Sequence, residues 1–212
     1  FYLNNIKKIM RREQFANGNY YHIYNRGVDK RCTFQDQFDY EEFIEALKSS
    51  QYKDGVAYVD INYYCLMDNH FHLVLRQGVD RGVSDFMHKI GTKYTEYFNQ
   101  KYKRTGCLFE GPYRAKPLLD DAHFLHISRY VHLNPLKYHF NDWKLKGVRN
   151  IKKALDFLKK YQWSSYSYIF GKESFISTGL IADEFKTSAE YDRFLIDCIR
   201  YGSPIRFNQI FS

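Results

Sequence analysis

Asp68-Asn69-His70-Phe71-His72-Leu73-Val74-Leu75-Arg76 places two histidines one residue apart at the head of a Leu-Val-Leu tract. Such a tract is β-strand sequence, and in a strand residues i and i+2 project from the same face. His70 and His72 therefore share one face. Phe71, Leu73 and Leu75 share the other and need a core to rest on, which leaves the imidazole side open for chemistry. A rigid strand presenting two imidazoles is half of a divalent-metal site. Asp68-Asn69 has turn composition and Val56 to Met67 is a long β-rich run, so the two strands form an antiparallel hairpin.

Outward from the hairpin, the elements alternate. Tyr20 to Asn25 is aromatic and β-branched and ends at Arg26-Gly27, which makes a first strand running into a loop with Lys30 and Arg31. Asp36 to Ser50 sets Phe38, Phe43, Ile44 and Leu47 at near-helical intervals, an amphipathic helix that Asp54-Gly55 breaks off. Ser84 is the expected cap of a second helix, whose apolar positions Phe86, Met87, Ile90, Tyr94, Tyr97 and Phe98 keep the 3.6 period. Gly106 stops it. Leu108 to Leu119 reads as a last strand with Arg114 and Lys116 in it, and Asp120 or Asp121 caps a third helix that Pro135 helps to end. The order is strand, helix, strand, strand, helix, strand, helix: an α+β, ferredoxin-like β-α-β-β-α-β sheet with one helix added. This gives a first domain over 11–138 and a C-terminal helical extension over 139–212, centred on Trp163-Ser164-Ser165-Tyr166. Met10-Arg11-Arg12 is an alternative start to Phe1.

The third helix holds Tyr130 and Asn134, four residues apart and hence stacked on one face. If that face lies over the histidines, the Asn134 oxygen can be a third metal ligand beside His70 and His72, with the Tyr130 hydroxyl at the metal's edge. A phenol of pKa near 10 is a weak nucleophile, so a nearby cation and an oriented phosphate are what it needs.

Composition points the same way. The 212 residues carry 32 Lys and Arg against 24 Asp and Glu, a formal charge of +8 that seeks polyanions. The 20 Tyr and 18 Phe exceed the needs of one core and suit stacking on exposed bases. The four cysteines are scattered, which argues against structural zinc and for free thiols. With no stretch of 18 apolar residues and no signal-peptide pattern, a soluble cytoplasmic protein with no membrane partner is expected.

Asn69 to Leu75, Leu108-Phe109-Glu110-Gly111-Pro112-Tyr113-Arg114 and Arg129-Tyr130-Val131-His132-Leu133-Asn134-Pro135-Leu136-Lys137 together resemble the blocks of the HUH-type single-tyrosine transposases. The resemblance is greatest to the branch associated with repetitive extragenic palindromes. It implies cleavage and rejoining of single-stranded or hairpin DNA with Mg²⁺ or Mn²⁺ and a covalent 5′-phosphotyrosine. On that resemblance Tyr130 is the nucleophile and His70, His72 and Asn134 hold the metal. Arg26, Lys30, Arg31, Arg114 and Lys116 are candidates for DNA backbone contacts, and the protein acts as a monomer or homodimer. A replication initiator or relaxase would nick with the same parts but generally brings a helicase or further tyrosines. A non-catalytic RNA-binding module on this strand order would want aromatics in place of the imidazoles. A two-histidine phosphoesterase needs two His-x-Ser/Thr repeats, and only His126-Ile127-Ser128 fits.

Overall fold

Residues 14–171 and 175–202 are described by the structure, a computed structural model. The alternative start at Met10 lies outside them. Strand β1, Tyr20–Arg26, is followed after a loop by helix α1, Gln37–Ser50. Asp36 caps α1 and forms a reciprocal capping box with Asp39, which satisfies backbone groups the first turn would otherwise leave open. A two-stranded ribbon follows, β2 at Tyr52–Lys53 and β3 at Val56–Ala57, turned by Asp54-Gly55 with both residues at positive φ. The expected long run over Val56 to Met67 is therefore two strands. Asp-Gly is the sequence of a tight hairpin turn, and it folds its flanks together where only a break was expected. Strand β4, Val59–Met67, then pairs with β5, His70–Gln77, in the anticipated hairpin.

Helix α2 spans Gly82–Lys101. Its N-cap is Arg81 in the left-handed conformation, and the expected cap Ser84 lies inside the first turn. The reason is close packing: a Cβ at Gly82 would stand 2.1 Å from the Tyr58 carbonyl oxygen, so only glycine lets the helix begin there. Strand β6 covers only Arg114–Leu118 of the longer run expected. Gly111, at φ 141°, and Pro112 break the preceding segment, which touches the sheet by a bridge from Phe109 to Gly27 and a Glu110 amide bond to the Arg26 carbonyl. Pro117 in β6 is tolerated because β6 is an edge strand. Helix α3, Asp121–Leu133, is capped by Asp120 and tightens into a 3₁₀ turn at Asn134–Tyr138 where Pro135 removes a donor.

The four-stranded sheet is antiparallel throughout in the order β4-β5-β1-β6, which is the ferredoxin-like arrangement. Helices α1 and α2 pack on one face, where Phe43 meets Phe71 at 5.1 Å between ring centres. The added helix α3 takes the other face. Phe124 anchors it between Tyr20 and Tyr63, at 4.8 and 4.9 Å. Phe124 is fully buried, and truncating such a side chain to alanine costs about 3–5 kcal/mol.

Beyond α3 come short α4 (Trp143–Lys146), α5 (Ile151–Lys160), α6 (Gly179–Glu184) and α7 (Ser188–Tyr201). The linkers among them cover the outer edge of β4. Leu66 donates its amide to the Trp163 carbonyl at 2.8 Å, Cys65 bridges Ser164, and the Ser177 amide reaches the Ile61 carbonyl at 2.7 Å. An edge strand left bare would offer its backbone to other chains, and this segment occupies it.

Candidate active site

The β1–β5 and β1–β6 registers set Tyr24 opposite both His72 and Arg114, and His22 opposite both Val74 and Lys116. All these side chains point to the face that α3 covers. Helix α3 thereby lays Tyr130 on the paired histidines: its hydroxyl stands 3.4 Å from His72 Nε2, and the two rings meet edge to face at 4.9 Å. The imidazole face is less open than its sequence suggests, because α3 buries His72 and leaves His70 half-buried. Both open onto a cavity of about 680 Å³, lined also by Tyr24, Arg26, Tyr113, Arg114 and Tyr130.

Charge at the site follows from this burial. Loss of water lowers the His70 pKa to about 4, with Lys137 adding to the effect, and holds His72 well below its usual value. Both are neutral near pH 7 and keep a lone pair for a cation. The Tyr130 hydroxyl is pushed up to about 12 by burial, opposed by its hydrogen bond with Asn134. Lys144, at the start of α4, stands with its Nζ 4.9 Å from the centre of the Tyr130 ring, and burial lowers its pKa to about 8.

The fit to a divalent ion can be tested atom by atom. The Asn69 amide nitrogen donates to the Lys30 carbonyl at 3.0 Å, so the Asn69 oxygen is the atom facing His70 Nδ1 at 2.7 Å. That oxygen can only accept, hence His70 carries its proton on Nδ1 and its lone pair on Nε2. The His70 and His72 rings are nearly perpendicular, 86°, with centres 5.1 Å apart. Two imidazoles bonded to one ion at about 2.1 Å stand roughly this far apart. Asn134, buried at the end of α3, donates its amide nitrogen to the Tyr130 carbonyl at 2.8 Å, which leaves its oxygen as the atom suited to a cation. Two nitrogens and an amide oxygen form a donor set that a hard or borderline divalent ion accepts. Among the described residues no group of three or more His, Cys, Asp or Glu side chains is placed to hold a metal.

Of the five basic residues expected on DNA, Arg26 and Arg114 line the cavity. Arg26 already holds Glu110 through two bonds of 2.9 and 3.0 Å, so a phosphate there must displace a carboxylate. Lys116 lies on β6 beside them. Lys30 and Arg31 are exposed in the loop after β1, with Arg31 3.3 Å from Asp29. From its place on β1 alone His22 would be a structural or DNA-contact residue, and Lys144 carries no signal in the sequence. His22 is completely buried with its Nε2 3.0 Å from His72 Nδ1.

The site thus sets a helix-borne tyrosine over paired strand histidines in a basic chain. Residues 16–134, more than half of the chain, match the family model described as "Transposase IS200 like". The chain belongs to the IS200-like transposase family. Its fold is similar to a solved structure described as a REP-associated tyrosine transposase bound to a REP hairpin, with a TM-score of 0.56 and 13% identity. The likeness covers 79% of this chain and 90% of that one. No curated protein matches the chain.

Proposed function

We propose that the protein cleaves and rejoins single-stranded, hairpin-associated DNA by metal-dependent transesterification through Tyr130. The observation that carries this reading is the Tyr130 hydroxyl at 3.4 Å from His72 Nε2, at the wall of a cavity with Arg26 and Arg114. Membership of a transposase family and the fold of a hairpin-bound neighbour support the choice of substrate.

Arg114 and Lys116 would hold the scissile strand by its phosphates. Helix α3 fixes the Tyr130 oxygen for in-line attack on phosphorus. As the Tyr130 O–P bond forms the P–O3′ bond breaks; the phenol gives up its proton and the departing 3′-oxygen gains one. The phosphodiester energy is kept in the 5′-phosphotyrosine, so attack by a second 3′-hydroxyl rejoins DNA without ATP. Mg²⁺ or Mn²⁺ held by His70, His72 and Asn134 would supply Lewis acidity to the phosphate and the leaving oxygen. Burial of Tyr130 favours its neutral form, which makes the Lys144 ammonium over its ring useful: a nearby positive charge stabilises the oxygen as it loses its proton.

Incubation with hairpin DNA labelled at its 3′ end, the side that a 5′-phosphotyrosine retains, and Mn²⁺ tests the reading. A protein band of retarded mobility that carries label through a denaturing gel, and is lost in chelator, is the expected result. Cleavage with no protein-linked label would exclude a covalent tyrosine route.

A further inference from the structure

Each candidate metal-site histidine has its second ring nitrogen occupied from behind. For His70 the partner is the Asn69 oxygen, whose orientation is fixed by the Asn69 bond to the Lys30 carbonyl. For His72 it is another imidazole: His22 Nε2 lies 3.0 Å from His72 Nδ1, with the ring planes 24° apart and 5.1 Å between centres, an edge-to-edge contact. His22 is fully buried, placed on the central strand β1 next to β5, and packed on its other side by Tyr24 at 5.2 Å. A histidine so enclosed is a costly way to fill a core, because both nitrogens lose water. A leucine or phenylalanine would fill the space at no such cost.

We propose that His22 is a positioning residue that accepts the Nδ1 proton of His72 and so fixes His72 as the tautomer with its lone pair on Nε2, aimed at the metal site beside Tyr130. The inference rests on the metal-site reading above. Its logic is the pairing of atoms. If His72 kept its proton on Nε2, that nitrogen would face the site as an N–H and could not bind a cation. With His22 Nε2 accepting, the proton is drawn to the opposite side of the ring. His22 then carries its own proton on Nδ1, and the two neutral imidazoles are held in one hydrogen-bonded plane by β1–β5 pairing. The role matches that of Asn69 toward His70, so both imidazoles would present Nε2 to the same point. Partners behind metal-bound histidines are worth about 10–100-fold in metal affinity.

The test measures Mn²⁺ binding to the DNA-free protein by the loss of free-ion electron paramagnetic resonance signal, together with ¹⁵N shifts of the histidine rings. His22→Phe keeps the volume and removes the acceptor, so Mn²⁺ affinity is expected to fall about 10–100-fold. His22→Gln, whose side-chain oxygen reaches the former Nε2 position, is expected to restore affinity to within a few-fold of wild type. In the wild-type apoprotein the ¹⁵N spectrum is expected to show His72 protonated on Nδ1. That measurement stands even if His22→Phe fails to fold. His72→Ala is the control for the underlying site: if it leaves Mn²⁺ affinity unchanged, the metal-site reading fails and this proposal with it. If His72→Ala abolishes binding while His22→Phe matches wild type, or if the apoprotein shows His72 protonated on Nε2, the role of His22 is overturned and the metal site stands.

Discussion

Replacing Ser165 by alanine removes one oxygen from the junction between the sheet edge and the C-terminal helices. The protons there can be placed in sequence. Ser128 Oγ donates to the Leu125 carbonyl and accepts from the Tyr191 hydroxyl, so Tyr191 must accept from His132 Nδ1, at 2.7 Å. His132 Nε2 is then an acceptor, and Ser165 Oγ at 2.9 Å is its donor. Ser165 Oγ in turn accepts from the Tyr64 amide at 2.9 Å. The chain of bonds ties β4, α3 and α7 through groups that are all buried. Alanine leaves the Tyr64 amide and His132 Nε2 without these partners, at about 1–3 kcal/mol each. A loss of about 3 kcal/mol is expected, a large share of the roughly 5–15 kcal/mol that holds a domain together. At about 2–4 °C per kcal/mol for a chain of this size, Tm should fall by roughly 6–12 °C. Urea unfolding followed by tyrosine and tryptophan fluorescence reads the change as a lower midpoint with an unaltered slope. The exposed neighbour Ser167→Ala should change stability by no more than about 0.5 kcal/mol. A Ser165→Ala loss below about 1 kcal/mol would refute the proton assignment and the edge coupling built on it.

Acid should destabilise the fold in a defined window. Burial lowers His22 and His132 to about 3 from an ordinary 6.5. The unfolded chain therefore takes up protons that the folded one refuses, and stability that is full above pH 6.5 drains away as pH falls toward 3. Each histidine should cost about 2 kcal/mol by pH 5 relative to pH 8, read from urea midpoints across pH; a flat profile between pH 8 and 5 would show that these histidines are not buried neutral. Arg114→Ala should weaken hairpin binding and reduce the slope of log affinity against log salt by about 1; an unchanged slope removes Arg114 from the phosphate path. His70→Ala should abolish cleavage while most hairpin affinity survives, because the metal would act on one phosphate and binding is spread over several, and excess chelator should copy the variant. Full cleavage by His70→Ala would take that residue out of the site.

The fold was legible wherever local sequence carries its own geometry. Alternation of the histidines with Phe71, Leu73 and Leu75 marked β5, aromatic and β-branched composition marked β1, the Asp68-Asn69 turn gave β5 its hairpin partner β4, the 3.6 period marked α1 and α2, and an aspartate cap with Pro135 bounded α3. Errors came where a distant backbone intervened. The start of α2 depends on Gly82 meeting Tyr58, and the shortness of β6 depends on how Gly111-Pro112 lifts its segment off the sheet. Sequence spacing brought His70 with His72 and Tyr130 with Asn134, since i+2 in a strand and i+4 in a helix need no tertiary knowledge. It could only condition the meeting of the two pairs on which face α3 covers. His22 needed the β1–β5 register, fifty residues apart in sequence. Lys144 needed the path of a polar connection with no period to read. The contacts of Trp163, Ser164, Ser165 and Ser177 with β4 likewise join residues about a hundred positions apart, such as Tyr64 and Ser165.

Three tyrosines line the cavity, Tyr24, Tyr113 and Tyr130, and hydroxyl chemistry alone does not separate them. Trapping the DNA-linked protein with a hairpin oligonucleotide and Mn²⁺, digesting it with nuclease and protease, and sequencing the modified peptide by mass spectrometry names the one that attacks. The phosphodeoxynucleotide is predicted on Tyr130. Tyr130→Phe should form no adduct while keeping the wild-type Tm within a few degrees, and Tyr113→Phe should still form it. Modification found on Tyr113 or Tyr24, or adduct formed by Tyr130→Phe at the wild-type rate, would contradict the assignment of α3 as the helix that carries the nucleophile.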